Sequence, residues 1–207
     1  MALNKLFLAA ALVMLINTTT YSQNCILTCP ENIIVTTDPG KEGTVVKLPT
    51  LELGTDCGSY TYSRVSGSFF RLGSHSIILT SASGQKCSFS VIVTDNEPPV
   101  LSPLSLSRSS LWPASNKMKK TKLKFSASDN GGEVTTDIAV SSNASDGIKD
   151  WQLLDNSELR LKSSRLPDGS PRIYTITVTA TDKSGNKTKR TTTIAVSETM
   201  VAKKSAA

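Results

Sequence analysis

Apolar and polar residues alternate along the stretch from Lys86 to Val93. Cys87, Phe89, Val91 and Val93 fall at every second position, with Ser88, Ser90 and Ile92 between them. This period of two is typical of a strand that buries one face. The stretch then runs into Asp95-Asn96-Glu97-Pro98-Pro99, and a sheet cannot continue there because proline has no backbone N–H to donate. We therefore predict that this strand closes one domain and leads into a second.

The chain before this strand also reads as short strands separated by turns. Turn residues occur at Asp38-Pro39-Gly40 and Thr55-Asp56-Cys57-Gly58. Strands this short, with no helical periodicity, predict an all-β fold built from immunoglobulin-like β-sandwiches. The predicted strands are Ile33 to Thr37, Thr44 to Leu48, a strand beginning at Tyr60 and Tyr62, and Ser76 to Thr80.

The second half of the chain repeats the ending of the first. Leu79 to Cys87 lines up with Ala180 to Thr188, each a strand, a glycine turn and a strand. The prediction is two tandem sandwich domains over residues 23–97 and 98–198, with a disordered tail over 199–207.

The first 22 residues have the pattern of a signal peptide. Lys5 supplies the positive charge, Leu6 to Ile16 is an unbroken apolar run, and Thr20 and Ser22 are small residues near a cleavage site. The run is too short to cross a bilayer, so we expect no transmembrane segment in the mature chain. A lipid anchor at Cys25 is the weaker alternative, because Asn24 is bulky and polar. The protein is thus predicted to be secreted or displayed at the cell surface.

Charge is divided unevenly between the two predicted domains. Residues 23–97 carry 5 basic and 7 acidic side chains, whereas residues 98–207 carry 17 and 10. The balance is therefore −2 in the first region and +7 in the second, which places any acidic partner on the second domain.

All four cysteines, Cys25, Cys29, Cys57 and Cys87, lie in the first domain. In an exported protein they predict disulfides, and a zinc site is disfavoured because no second close-spaced pair follows Cys25 and Cys29. In the internal alignment, Gly131 and Thr188 of the second domain occupy the positions of Cys57 and Cys87 in the first. The second domain therefore lacks both cysteines, as expected if the two are paired with each other. This predicts a Cys57–Cys87 disulfide. Cys25 and Cys29 then either bridge locally or stay free.

Several motifs in the first domain resemble a known family. Read in order from Cys25 to Pro99, they resemble a hyalin-repeat (HYR) domain, which implies an immunoglobulin-like sandwich used in extracellular adhesion and scaffolds, without catalysis. Two features depart from that pattern: Lys41-Glu42 replaces a cysteine common after the turn, and Asp56-Cys57 is shortened. By that comparison Cys29 lacks its usual partner. The motifs are Cys29-Pro30-Glu31-Asn32-Ile33, Thr37-Asp38-Pro39-Gly40, Asp56-Cys57-Gly58, Gly67-Ser68-x-Phe70-x-x-Gly73 and Cys87-Ser88-Phe89-Ser90-Val91-x-Val93-x-Asp95.

The second domain is similar to another immunoglobulin-like module, one that often follows HYR domains in bacterial surface proteins. The segment from Ser141 to Asp155 matches that module poorly. The matching motifs are Leu111-Trp112-Pro113, Asp129-Asn130-Gly131-Gly132 and Tyr174-x-Ile176-x-Val178-x-Ala180-Thr181-Asp182.

Two clusters of polar residues are candidates for ion chemistry or catalysis. Asp95, Asn96 and Glu97 in the linker offer oxygen ligands for calcium, as acidic linkers between cadherin domains do, and Asp182 to Asn186 is a second oxygen-rich turn. The alternative is that both are ordinary turns. His75 is the only histidine, and it is expected to be a surface residue rather than a catalytic base. We therefore expect no enzyme activity and no cofactor.

The remaining candidate is a row of lysines in the second domain. Lys120, Lys122 and Lys124 alternate with Thr121, Leu123 and Phe125, so the lysines project from one face of a strand while Leu123 and Phe125 enter the core. Such a row could hold an acidic polysaccharide, the cell envelope or another surface protein. The alternative is that the lysines only prevent aggregation at a sheet edge. Nucleic acid is disfavoured because no aromatic side chains accompany the lysines for stacking.

Together these observations predict a secreted or surface-displayed, non-catalytic adhesion, binding or spacer protein. Two alternatives stay open. Exposed aromatic side chains across one sheet face would favour a carbohydrate-binding accessory module, and a polar cleft with convergent carboxylates would favour a hydrolase.

Overall fold

The computed structural model describes residues 25–54, 57–144 and 150–199. The predicted signal peptide (residues 1–22) and all but Thr199 of the predicted tail lie outside the described residues. The described part of the chain folds into strands and turns without an α-helix, which confirms the all-β prediction. Within it, no helix is long and apolar enough to span a membrane.

Over residues 25–54 and 57–97, six strands build the N-terminal sandwich, and the strands predicted from the alternation are present. One sheet has the order β1-β6-β5-β3, with β1 parallel to β6, and the second sheet pairs β2 with β4. The strands are β1 (Ile33–Thr36), β2 (Gly43–Val46), β3 (Tyr60–Tyr62), β4 (Ser68–Arg71), β5 (Gly73–Ser81) and β6 (Lys86–Thr94).

The two sheets of the N-terminal sandwich enclose one hydrophobic core. Val46 and Phe70 from the β2–β4 sheet pack with Ile77, Phe89 and Val91 from the larger sheet. Phe89, Val91 and Val93 are buried in alternation, as the pattern predicts.

The disulfide pairing predicted for the first domain is wrong, although all four cysteines are bonded. The structure joins Cys25 to Cys57 and Cys29 to Cys87, so the predicted Cys57–Cys87 disulfide does not form, and Cys25 and Cys29 neither bridge locally nor stay free. The parallel register explains the pairing. Ile33 lies opposite Val91, and the same offset of 58 residues places Cys29 opposite Cys87.

Cys57, in contrast, belongs to the opposite edge of that sheet in the strand order. It precedes β3, and β5 lies between β3 and β6, where Cys87 is found. Alternation within a strand carries no information on which strands are neighbours, so the sequence did not indicate this parallel pairing.

In the described residues from 98 to 199, nine strands form the C-terminal sandwich. One sheet has the order β12-β13-β9-β8, the opposing sheet has the order β11-β14-β15, and β7 pairs with β10 at one end. The strands are β7 (Val100–Leu101), β8 (Ser105–Leu106), β9 (Met118–Lys124), β10 (Ala127–Ser128), β11 (Thr135–Ser142), β12 (Trp151–Leu153), β13 (Glu158–Lys162), β14 (Ile173–Thr181) and β15 (Lys187–Ala195).

A second hydrophobic core lies between the two main sheets of this sandwich. Leu123 and Leu159 from one sheet pack with Tyr174 and Ile176 from the other. At one end of this core, the guanidinium of Arg172 donates to the carboxylate of Asp150, and both side chains are at least 96% buried. The two charges are therefore paired almost completely out of water.

Removing the longer disulfide should cost considerable stability. For a loop of 58 residues, chain entropy puts the loss of unfolding free energy on Cys29→Ser/Cys87→Ser at about 4 kcal/mol. Urea unfolding measures this loss. The same argument gives Cys25→Ser/Cys57→Ser about 0.5 kcal/mol less, because that loop spans 32 residues. The denatured Cys25→Ser/Cys57→Ser variant should show no free thiol, and two thiols per chain would contradict the pairing.

The buried ion pair gives a second stability test. Arg172→Met leaves the Asp150 carboxylate buried without its charged partner, which should lower the unfolding free energy by about 3–5 kcal/mol. Lys183→Met is the matched control, because Lys183 forms an exposed ion pair with Glu133, and it should cost less than about 1 kcal/mol. Equal losses for the two variants in urea unfolding would show that burial does not set the difference.

Candidate metal centre

Three aspartates meet where the two sandwiches join. Asp95 follows the last residue of β6, Asp129 follows β10 and Asp182 follows β14, so three strand ends deliver the three side chains to one place. One carboxylate oxygen from each lies within 4.8 Å of the others. The cluster therefore combines one residue from the N-terminal sandwich with two from the C-terminal sandwich.

Asp95 is only half satisfied by hydrogen bonds, although it is 91% buried. Its Oδ1 accepts from the backbone N–H of Glu97 at 3.0 Å and from the Thr37 hydroxyl at 3.5 Å. Its Oδ2 is fully shielded from solvent and has no hydrogen-bond partner in the described part of the chain. A buried carboxylate oxygen without a donor is costly, because it loses water and gains nothing in return.

Asp182 is held by the turn that follows it. Its Oδ1 accepts from the backbone N–H of Asn186 at 2.8 Å, and its Oδ2 accepts from Asn186 Nδ2 at 2.9 Å. The same Nδ2 also approaches the carbonyl oxygens of Asp95 at 3.2 Å and Glu97 at 3.4 Å. Asn186 thus connects the C-terminal sandwich to the linker.

Glu97 and Asn130 form a second connection across the junction. Asn130 Nδ2 donates to Glu97 Oε2 and to the carbonyl of Lys41, both at 3.0 Å, while Gly40 donates its N–H to the same Glu97 oxygen at 2.8 Å. Because both contacts of Asn130 Nδ2 are acceptors, its amide orientation is determined. The other end, Asn130 Oδ1, is buried and has no donor among the described residues.

Gly131 leaves space between the carboxylates. A Cβ at this position would lie 3.0 Å from Asp129 Oδ2 and 3.3 Å from Asp95 Oδ2. The Gly131 N–H donates to Asp129 Oδ2 at 2.7 Å, which directs that carboxylate toward the cluster. A side chain here would therefore crowd two of the three carboxylates, those of Asp129 and Asp95.

The three aspartates concentrate negative charge at the junction. Two unit charges 4.8 Å apart repel by about 3.5 kcal/mol at an effective dielectric of 20. No lysine or arginine forms a salt bridge with Asp95, Asp129 or Asp182 within the described ranges. Burial raises the pKa of Asp129, and the neighbouring carboxylates of Asp95, Asp182 and Glu97 raise that pKa further.

These groups fit a hard divalent cation. Carboxylate and amide oxygens are the ligands that Ca²⁺ prefers, and the unpartnered Asp95 Oδ2 and Asn130 Oδ1 are both available. Zinc is a poor match because its sites favour sulfur and nitrogen ligands, and all four cysteines are in disulfides.

The linker residues considered for calcium are only partly at this site. Asp95 and Glu97 face the junction, whereas Asn96 is exposed and lies outside the group of three aspartates. Asp182 and Asn186, expected only as an oxygen-rich turn, approach the linker directly. Asp129 and Asn130 were missed. The motif Asp129-Asn130-Gly131-Gly132 offers oxygen ligands, but it is equally typical of a turn that binds no ion.

The other candidate residues lie away from this junction cluster. Lys120, Lys122 and Lys124 are exposed on β9, with Thr121 and Leu123 buried on its opposite face. His75 is half-buried. Its Nε2 lies 2.7 Å from the Arg71 carbonyl oxygen, and its ring packs edge-on against Phe70.

Comparisons with known proteins give only distant structural likenesses. No protein-family model and no curated protein matches the chain. A protocadherin gamma B7 fragment containing extracellular cadherin domains 1–4 is 17% identical, with 79% of this chain and 47% of that chain covered and a TM-score of 0.33.

Two further solved structures give similar values. The fibronectin(III)-like modules of Clostridium thermocellum CbhA are 16% identical, with 80% of this chain and 90% of that chain covered and a TM-score of 0.34. Drosophila N-cadherin EC1-3 is 17% identical, with 84% and 66% covered and a TM-score of 0.31. This chain covers 47% of the protocadherin gamma B7 fragment and 32% of the protocadherin gammaB4 extracellular domain. It therefore spans half or less of the length of each of these two chains. The sandwich architecture is established by the strands and cores described above.

Proposed function

We propose that this protein is an extracellular, non-catalytic adhesion or spacer protein whose two domains are held together by Ca²⁺. The domains are those expected over residues 23–97 and 98–198, the first of them HYR-like. In this proposal the cation binds Asp95, Asp129 and Asp182, with Asn130 Oδ1 as a further oxygen ligand. Its role is mechanical: it opposes the carboxylate repulsion and sets the angle between the sandwiches.

The observation that carries the proposal is the unpartnered Oδ2 of Asp95. This oxygen is buried, and the carboxylate to which it belongs lies close to those of Asp129 and Asp182, which repel it. A divalent cation converts that repulsion into attraction and supplies the missing partner. Because the ligands come from both sandwiches, the binding free energy acts on the junction itself.

Convergent carboxylates could also favour a hydrolase, but their burial disfavours that alternative. Asp95 and Asp182 are each more than 90% buried. The open crevice nearby is lined by other groups, and none of the three aspartates lines it. A paired acid and base must reach a substrate placed between them, and retaining glycosidases keep about 5–5.5 Å between carboxyl groups for this purpose. The crevice is lined by Glu42, Arg71, Leu72, Asn130, Gly131 and Gly132.

The carbohydrate-binding accessory module is also less well supported. Such a module would present aromatic side chains across one sheet face. Phe69 and Trp112 are the large exposed aromatic side chains in the described part of the chain, and they belong to different sandwiches. They therefore do not form a shared platform.

Calcium titration tests the proposed site. Isothermal titration should give a dissociation constant of about 0.1–1 mM, the range of extracellular calcium modules. Calcium at 10 mM should then raise the unfolding free energy by about 1.4–2.7 kcal/mol.

Asp129→Asn should weaken binding at least tenfold. Asp137→Asn removes an equal charge from an exposed position on β11 and should leave binding unchanged. Equal weakening by both variants would contradict a local site.

Asp95→Asn gives a sharper test because its effect should change sign with calcium. The carboxamide oxygen can keep the bonds from Thr37 and Glu97, while the new amide nitrogen takes the place of the unpartnered Oδ2. That nitrogen can donate to the neighbouring carboxylates. In EDTA the variant should therefore melt at a higher temperature than the parent, and in 10 mM calcium at a lower one. A lower melting temperature under both conditions would indicate a purely structural role.

A further inference from the structure

A basic surface lies on the outer face of the β12-β13-β9-β8 sheet. Lys120, Lys122 and Lys124 project from β9, and Arg160 and Lys162 project from β13 on the same side, opposite the buried Leu159 and Leu161. Arg108 lies alongside, with its Nε donating to the carbonyl of Lys120 at 2.9 Å. We refer to these six residues as the basic face.

The alternative explanation of the lysines as a guard against edge aggregation does not fit their position. β9 is an interior strand that pairs with β13 on one side and with β8 on the other. Beyond the end of β8, the carbonyls of Lys122 and Lys120 accept from the backbone of Ser107 and from Arg108. Protective charges are useful where backbone groups are unpaired. Here the carbonyls of Lys120 and Lys122 and the N–H of Lys122 already have partners on that side.

The charges on this face repel one another. Lys120 lies directly opposite Arg160 in the register, and like charges in that relation destabilise a sheet. Glu158 Oε1 pairs with Lys120 Nζ at 2.6 Å, and Asp155 lies near Lys122. These two acids are too few to balance the face. Within the described ranges, Lys124, Arg160 and Lys162 form no salt bridge.

We infer that the basic face binds an extended acidic polysaccharide with regularly repeated carboxylates. Lysines two residues apart on β9 are separated by about 6.6–6.8 Å, and β13 lies about 4.7–4.9 Å to the side. A rigid sheet thus holds the cations in two parallel rows, to which a linear polymer can bind at several points. Arg160 adds a planar group able to bind a carboxylate through two hydrogen bonds.

This inference is independent of the proposed calcium site. No residue of the basic face belongs to the cluster of Asp95, Asp129 and Asp182, so binding of the polymer should not require calcium and should persist in EDTA. Individual contacts between exposed charges are weak and are screened by salt, so the affinity must come from several contacts acting together.

The test is binding of the full mature chain to immobilised alginate, a polymer of uronic acids, with neutral dextran as the blank. The parent should bind alginate in about 20 mM salt and be released by about 0.5 M salt, because the Debye length falls severalfold over that range. Lys120→Gln/Lys122→Gln/Lys124→Gln should bind about tenfold more weakly, with the melting temperature nearly unchanged.

A matched variant separates the basic face from net charge alone. Lys47→Gln/Lys86→Gln/Lys189→Gln removes the same charge from exposed positions elsewhere and should bind as the parent does. Equal weakening by the two triple variants would overturn the inference, since total charge would then account for binding. It would also be overturned if the basic-face variant kept parental affinity, or if the parent bound anionic lipid vesicles in preference to alginate.

Discussion

Mutual repulsion among three carboxylates is the constraint on which the arrangement of this protein depends. Each sandwich has its own hydrophobic core, and neither core includes Asp95, Asp129 or Asp182. Hydrogen bonds from Asn130 and Asn186 join the sandwiches across the linker, yet they leave Asp95 Oδ2 without a donor. At the junction, like charges are thus held close without a lysine or arginine counter-charge among the described residues. We propose that a divalent cation resolves this conflict and stiffens the linker.

The two charged regions of the molecule have different physical consequences. At the junction, buried acids from both sandwiches lie close enough together to surround a small cation. On the basic face, exposed lysines on a rigid sheet suit a large polymer that binds through many weak contacts. A protein that holds its domains at a fixed angle while one face contacts a polymer is well suited to adhesion or spacing, and this combination requires no catalytic group.

The sequence predicted local structure better than it predicted partners in space. The alternation at Phe89, Val91 and Val93 identified a strand with one buried face, because a period of two follows from strand geometry alone. The predicted disulfide pairing was wrong because Cys29 meets Cys87 only through the parallel register of β1 and β6. Asp129 was missed for a similar reason. It is 34 residues from Asp95 along the chain, and only the packing of one sandwich on the other brings the two side chains together.

The most direct test of the account is the relative orientation of the two sandwiches in solution, measured by NMR residual dipolar couplings with calcium and with EDTA. A cation at the junction should make both sandwiches report a single alignment tensor in calcium. In EDTA the two sandwiches should report different tensors, because the uncompensated carboxylates push the junction apart. A single shared tensor under both conditions would show that hydrogen bonds alone hold the junction, and it would contradict the role proposed for calcium.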